Sequence, residues 1–358
     1  MKVLNLSLDQ KILDKESAVS KRAILYGQKL DKYFVVAIGD NKELQLSDKI
    51  KVCGVSGQNK IFSFFKLRNY LRKLLAQEQF DLITIQDAYF LAFLGLCLAK
   101  KYHLKSEIQV HGFEKLSGIR KFLAKKNLSR ADLLRVVSQR LKNQLVKDFG
   151  VSAEKVYIAP VAVDKLKIEN SQANLQLKQK YYGKFIFLTV GRLVPVKKIA
   201  LQIQALAQLD NKKVQLLIVG QGPEKKHLQD LVQEHSLQAQ VDFFDWSDDI
   251  GSFYKIADCF LLTSQSEGYG MVIAEAVSVN LPVITTDVGV AGDLVEDGTN
   301  GFIVPINDLE TLKRKMELIV SNSDLLSKFR NNTSKFKDKI LDQEELRSKI
   351  ISNWKNLL

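Results

Sequence analysis

The chain has 358 residues, more than one hydrophobic core usually supports, and this length predicts two domains. Its longest apolar run covers only residues 90–99, whereas a helix needs about 20 apolar residues to span a membrane. The net charge of +13 comes from the first half, where residues 1–180 contain 33 Lys and Arg against 17 Asp and Glu. This asymmetry predicts a polyanionic partner for one domain, either nucleic acid or an acidic membrane.

The amino terminus is strand-like and lacks the apolar region of a signal peptide, which predicts a cytoplasmic protein. Cys53, Cys97 and Cys259 are scattered and odd in number, which argues against a disulfide framework or a zinc site. The sequence also contains no D-x-D pair and no His and Cys cluster. We therefore expect no metal and no cofactor.

The first half alternates short β-rich segments with helical ones, which predicts a doubly wound α/β domain over residues 1–165. The predicted strands are 3–8, 34–38, 82–86, 107–111, 134–137 and 156–158, and the predicted helices include 67–75 and 91–101.

The second half repeats this pattern and predicts a second α/β domain over residues 183–340. Its predicted strands are 185–190, 214–219, 241–244, 259–262, 282–286 and 302–304. The polar segment 166–182 is predicted to be a linker. Within the C-terminal segment 341–358, a predicted helix carries an apolar stripe that includes Leu346, Ile350 and Trp354, and this stripe must pack on another part of the chain.

Two polar residues follow predicted strands of the first domain. His111 ends an apolar strand, which places it at the carboxyl edge of the sheet, where α/β domains bind ligands. A lone histidine is nevertheless more often structural. Asp87 ends another strand and is equally well interpreted as a helix N-cap.

Two segments of the first domain, 60–75 and 115–126, mix basic with apolar residues. On a helical wheel the first segment has an apolar face that we assign to the core: Ile61, Phe64, Phe65, Leu71 and Leu75. The candidate membrane-facing cations of the two segments are Lys66, Lys73, Lys121, Lys125 and Lys126. They form either a solvated basic face or an anionic membrane interface, and the charge asymmetry favours the membrane.

In the second domain, VGRLVPVKK (190–198) places Arg192 and Lys197 just after a strand. A guanidinium and an ammonium at such a position can bind a diphosphate. Gly222 belongs to a Gly-x-Gly-Pro turn after the next strand, and this turn needs no function beyond joining a strand to a helix.

Residues 259–290 read as a strand, a glycine-containing loop, a helix and a second strand. The first helical turn offers unpaired N–H groups to an anion, and Gly268 and Gly270 permit close backbone approach. Glu267 lies in the loop and Glu275 in the helix, roughly 10 Å or more further along the axis. Each carboxylate can therefore reach a different part of one ligand.

The run EGYGMVIAEA (267–276), followed by LPVITTDVG and LVEDGTNGFIVP, closely resembles the donor-binding half of the retaining glycosyltransferases of family 4. The resemblance implies the GT-B fold, in which two Rossmann-like domains face each other across a deep cleft and the C-terminal helix crosses back onto the first domain. It also implies a nucleotide-sugar donor. Glu267 would contact the transferred hexose, and Glu275 would hold the ribose.

The family pattern G-R-L…K matches Arg192 and Lys197, which would neutralise the leaving nucleoside diphosphate. The family's H-G at a strand end matches His111, near the transferred sugar and the acceptor, and Asp87 matches an acceptor-side position. The resemblance thus implies His111, Arg192, Lys197 and Glu267 as catalytic residues. It implies a donor site of Gly191, Arg192, Lys197, Gly222, Glu267, Gly268, Tyr269, Gly270, Met271 and Glu275.

The sequence departs from the family pattern in two places. Residues 1–26 contain no glycine, although the family often has a glycine-rich loop after its first strand, so the resemblance implies no donor or acceptor contact from that loop. Asn280 replaces a usual glycine, but asparagine tolerates the left-handed conformation at a helix end.

The predicted function is metal-independent transfer of a hexose, with retention, to a lipid-linked acceptor or a growing cell-surface glycan. We expect the protein to work as a peripheral protein on the inner face of the cell membrane. An epimerase or a phosphorylase of the same fold stays open, since fold does not fix chemistry. A basic nucleic-acid-binding protein is a weaker alternative, because the sequence has no zinc-finger, RNA-recognition or helix-turn-helix signature.

Overall fold

The computed structural model describes residues 1–113 and 116–358, apart from the side chain of Lys60. The chain forms two compact domains. The first contains Met1–Ala159 together with Glu345–Leu358, and the second contains Pro160–Glu344.

The first domain is built on one eight-stranded sheet. Its strands are β1 (Lys2–Ser7), β2 (Lys32–Ile38), β3 (Glu43–Ser47), β4 (Ile50–Val55), β5 (Leu82–Ile85), β6 (Lys105–Val110), β7 (Leu133–Val136) and β8 (Val156–Ile158). They lie in the order β3-β4-β2-β1-β5-β6-β7-β8, and β3 runs antiparallel to β4 while the other pairs are parallel. The helices are α1 (Ala18–Gly27), α2 (Lys60–Gln77), α3 (Phe90–Tyr102), α4 (Gly118–Arg130) and α5 (Gln139–Phe149).

The second domain has a six-stranded parallel sheet. Its helices before and between the strands are α6 (Lys165–Asn170), α7 (Leu175–Lys180), α8 (Ile199–Ala207), α9 (Lys225–Glu234), α10 (Gly251–Ile256) and α11 (Met271–Ser278). The strands are β9 (Phe185–Val190), β10 (Val214–Val219), β11 (Val241–Phe244), β12 (Cys259–Leu262), β13 (Val283–Thr286) and β14 (Gly301–Val304), in the order β11-β10-β9-β12-β13-β14. The helices α12 (Leu309–Ser321) and α13 (Ser323–Thr333) follow. Every residue of β10 and β12 is buried, as expected for strands covered on both faces.

The structure differs from the sequence-based expectation in two places. The strands β3 and β4 form a hairpin that the periodicity did not predict, because β3 is a short edge strand with mostly polar residues. Residues 166–182 are not an extended linker, since they contain α6 and α7 and belong to the second domain. The side chain of Ile168 is buried, and α6 packs against α10 and α11. This packing moves the boundary between the domains to Ala159 and Pro160.

The last helix, α14 (Gln343–Leu357), packs on the first domain. Ile350, Ile351 and Trp354 are buried in the same apolar cluster as residues of β1 and β2. The Trp354 indole N–H donates a hydrogen bond of 2.9 Å to Oε1 of Glu107. The apolar stripe that the sequence shows therefore covers one face of the first sheet.

Glu107 lies in β6 and is fully buried. Besides the indole of Trp354, the hydroxyls of Tyr157 and Thr84 donate hydrogen bonds to its carboxylate. A buried carboxylate is tolerated only when hydrogen bonds replace its lost water. The C-terminal helix therefore supplies one of the donors that this site in the first domain needs.

We expect Trp354→Phe to destabilise the first domain by about 2 kcal/mol, because the buried Glu107 carboxylate loses a donor. Trp354→Ala should cost about 3–5 kcal/mol, since it also leaves a cavity. Urea denaturation followed by circular dichroism measures both losses. The matched control is Trp246→Phe, because the only other tryptophan is 60% exposed and should change stability little. Equal midpoints for Trp354→Phe and the wild type would contradict the role given to this hydrogen bond.

No helix in the described part of the chain combines the length and the apolar character needed to cross a membrane.

Candidate active site

The site is built where β12 ends and α11 begins. The strand is completely buried, and the loop of residues 263–270 carries the chain to the first turn of α11 at the carboxyl edge of the sheet. The N-cap of α11 is Gly270, which adopts a left-handed conformation and has no side chain with which to cap the helix. The start of α11 can therefore receive an anionic group from outside the helix.

Glu267 lies in this loop and is held by two donors. The Ser264 hydroxyl donates to Oε1 at 2.6 Å, and the Lys197 ammonium lies 2.5 Å from the same oxygen. The side chains of Lys197 and Glu267 retain only 18% and 12% of their exposed surface, so solvent screens this ion pair less than a surface pair. The second oxygen, Oε2, has no hydrogen-bond partner among the described residues. The carboxylate is thus fixed through one oxygen and can accept hydrogen bonds with the other.

Glu275 lies in the middle of α11 and is held by a different residue. The hydroxyl of Tyr254, a buried residue of α10, donates a hydrogen bond of 2.7 Å to Oε2 of Glu275. Burial raises the pKa of Glu275 above its ordinary value, and the hydrogen bond from Tyr254 partly opposes that rise. Glu267 and Glu275 therefore have separate supports.

The loop after β9 is tied to the loop after β12. The Thr263 hydroxyl donates to the carbonyl oxygens of Lys197 and Lys198, and the Gln265 amide donates to the carbonyl of Val196 at 2.8 Å. These bonds bring Lys197 to Glu267, which is 70 residues away in sequence. Arg192 is exposed, and its side chain makes no hydrogen bond or ion pair within the described residues. One of the two cations is therefore paired with a carboxylate, and the other is available to a ligand.

Positions 222 and 289 require glycine because the backbone of a neighbouring loop packs closely against each of them. A Cβ on Gly222 would lie 2.3 Å from the carbonyl oxygen of Leu193, and a Cβ on Gly289 would lie 2.3 Å from that of Tyr269. Both residues have positive φ, which non-glycine residues rarely adopt. The sequence predicts that Gly222 contacts the donor; in the structure its visible role is to let two loops pack together.

The other predicted donor-site residues also lie along these loops. Gly191 directly follows β9 and has positive φ, Gly268 is exposed, and Met271 is 44% exposed at the start of α11. The side chain of Tyr269 is buried, and its carbonyl accepts a hydrogen bond from Val290. Asn280 adopts a left-handed conformation after α11, with φ of 61°. This agrees with the expectation that asparagine tolerates this conformation at a helix end.

In the first domain, His111 directly follows β6, as the sequence predicts. Its side chain is exposed, yet surrounding protein still removes part of its solvation. This desolvation, together with the charges of Arg135 and Arg22, lowers the pKa of His111 to about 4. The imidazole is therefore neutral at neutral pH and can accept a hydrogen bond.

Asp87 lies two residues before Tyr89, the N-cap residue of α3. Its Oδ2 accepts a hydrogen bond of 3.0 Å from the amide of Leu91. Burial raises the pKa of Asp87, while backbone N–H donors and Arg120 act in the opposite direction. Asp87 is therefore not the N-cap residue of α3, although its carboxylate accepts a hydrogen bond from the second residue of that helix. An acceptor-side role for Asp87 stays a prediction.

The basic segments of the first domain differ partly from expectation. Leu71 and Leu75 are buried as predicted, but Ile61 is 69% and Phe65 is 52% exposed, so their assignment to the core is wrong. The ammonium of Lys66 donates to Oδ1 of Asn41 and the carbonyl of Ser56, and this lysine is therefore tied to neighbouring loops. The remaining predicted cations, Lys73, Lys121, Lys125 and Lys126, are exposed, and Lys115 lies outside the described residues.

Sequence reasoning missed two residues that hold the glutamates. Ser264 could have been found, because it is a polar residue at the end of a buried strand and in the same loop as Glu267. Tyr254 gives no such signal, since it lies 21 residues before Glu275 within a different helix. Within residues 1–113 and 116–358, no group of three or more His, Cys, Asp or Glu side chains is arranged to hold a metal ion.

Two Rossmann-like domains of this topology have the GT-B fold. The carboxyl edge of the second sheet holds Glu267 and Glu275, each with its own support, and the cations Arg192 and Lys197. The family model described as "Glycosyltransferase Family 4" matches residues 32–165, and the model "Glycosyl transferases group 1" matches residues 170–336. The two models together cover most of both domains. The chain belongs to glycosyltransferase family 4.

Individual relatives agree with this assignment. An uncharacterized glycosyltransferase of Haemophilus influenzae is 25% identical over 339 residues, which cover 90% of each chain. The Escherichia coli UDP-Gal:alpha-D-GlcNAc-diphosphoundecaprenol alpha-1,3-galactosyltransferase is 28% identical over 67% of this chain and 66% of its own. The crystal structure of Anabaena HepE in complex with UDP has a TM-score of 0.80 at 20% identity, and the match covers 99% of this chain and 100% of that one. This last likeness shows the shared fold.

Proposed function

We propose that the protein transfers a hexose-type sugar from a nucleotide-sugar to a glycan acceptor, with retention of anomeric configuration. The observation that carries this proposal is the pairing of Lys197 with Glu267 next to the start of α11, with Glu275 held further along the same helix. A cation and two fixed carboxylates suit the diphosphate, the hexose and the ribose of one donor molecule. The UDP bound to HepE and the UDP-Gal in the name of the E. coli relative support a nucleotide-sugar donor.

In the proposed reaction, the bond between the anomeric carbon and the diphosphate oxygen breaks while an acceptor hydroxyl bonds to that carbon from the same face. The hydroxyl proton passes to an oxygen of the departing diphosphate. Arg192 and Lys197 stabilise the negative charge that develops on this leaving group. Glu267 orients the hexose, Glu275 holds the ribose, and His111 accepts a hydrogen bond from the transferred sugar or the acceptor.

We infer that the acceptor is lipid-linked or part of a growing cell-surface glycan, so that the enzyme acts in polysaccharide biosynthesis. The diphosphoundecaprenol acceptor in the name of the E. coli relative supports this inference. Residues 1–180 contain 33 Lys and Arg but only 17 Asp and Glu. This positive charge supports a location at the anionic inner face of the cell membrane.

A thermal-shift panel of nucleotide-sugars and free nucleotides tests the donor. A true donor at 100 times its dissociation constant should stabilise the protein by about 2.7 kcal/mol. Proton NMR of the product formed from that donor then shows whether the anomeric configuration is retained. If no nucleotide-sugar raises the melting temperature, the proposed donor site is wrong.

We expect full transferase activity in excess EDTA, because Arg192 and Lys197 supply the positive charge that a metal would otherwise provide. The measurement is the initial rate with and without chelator at a saturating donor concentration. A rate that disappears with EDTA and returns with Mg²⁺ would contradict this role of the two cations.

A further inference from the structure

Six large apolar side chains that are at least 48% exposed lie within the first two turns of three helices of the first domain. They are Ile61, Phe62 and Phe65 on α2, Phe90 on α3, and Ile119 and Phe122 on α4. We call this set the apolar rim. Its members are between 48% and 69% exposed. Single exposed apolar residues are ordinary on a protein surface, whereas a group of this size marks an interaction surface.

The three helices begin at the same edge of the sheet. They follow β4, β5 and β6, which are parallel strands, so all three start at its carboxyl edge. The Tyr102 hydroxyl donates to the carbonyl of Arg72 at 3.3 Å, and each of these residues is the thirteenth of its helix. The first turns of α2 and α3 are therefore level with each other.

The start of α4 lies next to that of α3 and extends further. The guanidinium of Arg120 lies 5.5 Å from the centre of the Tyr89 ring, and Tyr89 directly precedes α3. The side chain of Asn127 donates to the carbonyl of Tyr89 at 2.7 Å. Because α4 begins nine residues before Asn127, its first turns project roughly 13 Å past the start of α3. Ile119 and Phe122 stand on this projecting part.

The charges on the three helices that carry the apolar rim are all of one sign. The three helices contain twelve Lys and Arg and no Asp or Glu. Their first turns contain no acidic residue, although helix N-termini normally favour acids. A symmetric contact between two copies through this face would bring like charges together. An anionic lipid surface instead offers negative headgroups to the cations and an apolar layer to the phenylalanine and isoleucine side chains.

We propose that the apolar rim inserts into the boundary between headgroups and acyl chains of an anionic membrane, while the cations of α2 and α4 pair with lipid phosphates. This inference rests on the proposed function, because a lipid-linked acceptor would then reach the enzyme along the surface that the rim binds. It also revises the membrane-facing set: Lys121, Lys125 and Lys126 flank the rim on α4, whereas Lys66 is bonded to loops of its own domain.

The test is flotation of the full chain with phosphatidylglycerol vesicles and with phosphatidylcholine vesicles. The wild type should float with phosphatidylglycerol, and a part of this binding should persist at high salt, since inserted apolar groups are not screened. The rim variant, Phe62→Ser/Phe122→Ser, should bind these vesicles more weakly, by about tenfold for each side chain removed. The matched control is Leu166→Ser/Leu175→Ser, which removes two exposed apolar residues from the second domain and should bind as the wild type does.

Insertion itself is measured with Phe122→Trp and lipids brominated on their acyl chains. The new tryptophan should be quenched more strongly than the two native ones, Trp246 and Trp354, are in the wild type. Equal flotation of the wild type and the rim variant would overturn the proposal. So would a dimer of the wild type that the rim variant dissociates, because the face would then bind a second copy. A third result would overturn it as well. In that case the wild type would bind nucleic acid in a salt-sensitive way but would not bind vesicles, and the rim variant would no longer bind nucleic acid.

Calorimetric titration of the rim variant with the nucleotide-sugar separates this inference from the proposed function. Donor affinity should be unchanged, because the rim lies in the first domain and the donor glutamates lie in the second. Loss of vesicle binding with normal donor binding supports the rim. A wild type that floats with vesicles but binds no nucleotide-sugar would leave the rim intact and contradict the donor site.

Discussion

Lys197→Ala is expected to lower kcat by a factor of about 10²–10³, which corresponds to about 3–4 kcal/mol of barrier. The lysine has two roles in the proposed reaction. It stabilises the departing diphosphate, and its ammonium fixes Oε1 of Glu267 at 2.5 Å. Turnover at saturating donor and acceptor measures the loss, while calorimetry with the free nucleotide reports any change in binding.

The control for this prediction is Lys180→Ala, which also removes an ion-paired lysine of the second domain. Lys180 pairs with Asp242 at 3.1 Å and precedes β9, so its removal should leave kcat unchanged. Arg192→Ala should lower turnover without disturbing Glu267, because the side chain of Arg192 makes no hydrogen bond or ion pair within the described residues. Lys197→Ala combined with Glu267→Gln should cost less than the sum of the single losses, since the two side chains act as a unit. Normal turnover in both Lys197→Ala and Arg192→Ala would contradict the cation assignment.

Glu275→Ala and Glu267→Gln are expected to fail in different ways. Glu275→Ala should weaken both the nucleotide-sugar and the free nucleoside diphosphate by about 10–100-fold, as the loss of a buried charged hydrogen-bond partner predicts. Glu267→Gln should bind the free nucleotide normally and lose turnover instead, because the contact that it loses in the proposed reaction is to the transferred sugar. Calorimetry and kinetics on the same preparations separate the two patterns. Normal binding and normal turnover in both variants would show that the donor site lies elsewhere.

Tyr254→Phe tests the support of Glu275 without removing the carboxylate. Burial already raises the pKa of Glu275, and the lost hydroxyl removes the bond that opposes this rise. In the proposed function the ionised carboxylate of Glu275 holds the ribose, so donor affinity should fall as the pH falls through the raised pKa of Glu275. In Tyr254→Phe this fall should begin at a higher pH. Calorimetric titrations at several pH values measure it, and identical profiles for the two proteins would contradict the role of Tyr254.

Much of the second domain was predictable from local pattern. Strands β9 to β12 begin and end at the predicted residues. For β10 and β12 the reason is that a parallel strand covered on both faces is a nearly continuous apolar segment. The positions of the loop glycines, of Glu267 and of Glu275 were also predictable, because neighbouring residues determine where a strand ends, where a turn forms and where a helix begins. The hairpin of β3 and β4 was not, because an edge strand has one solvated side and therefore a weak apolar signal.

By itself, the sequence determined which residues reach the carboxyl edge of each sheet, because the end of a strand is a local property. Only the tertiary structure decided which of them meet. Lys197 contacts Glu267 and Tyr254 contacts Glu275 because neighbouring strands and helices bring separate segments together, and no sequence spacing records that distance. The tertiary structure also decided the exposure of Ile61 and Phe65. A helical wheel shows which face of α2 is apolar, but an 18-residue helix is roughly 27 Å long and extends past the strands that could cover its first turns.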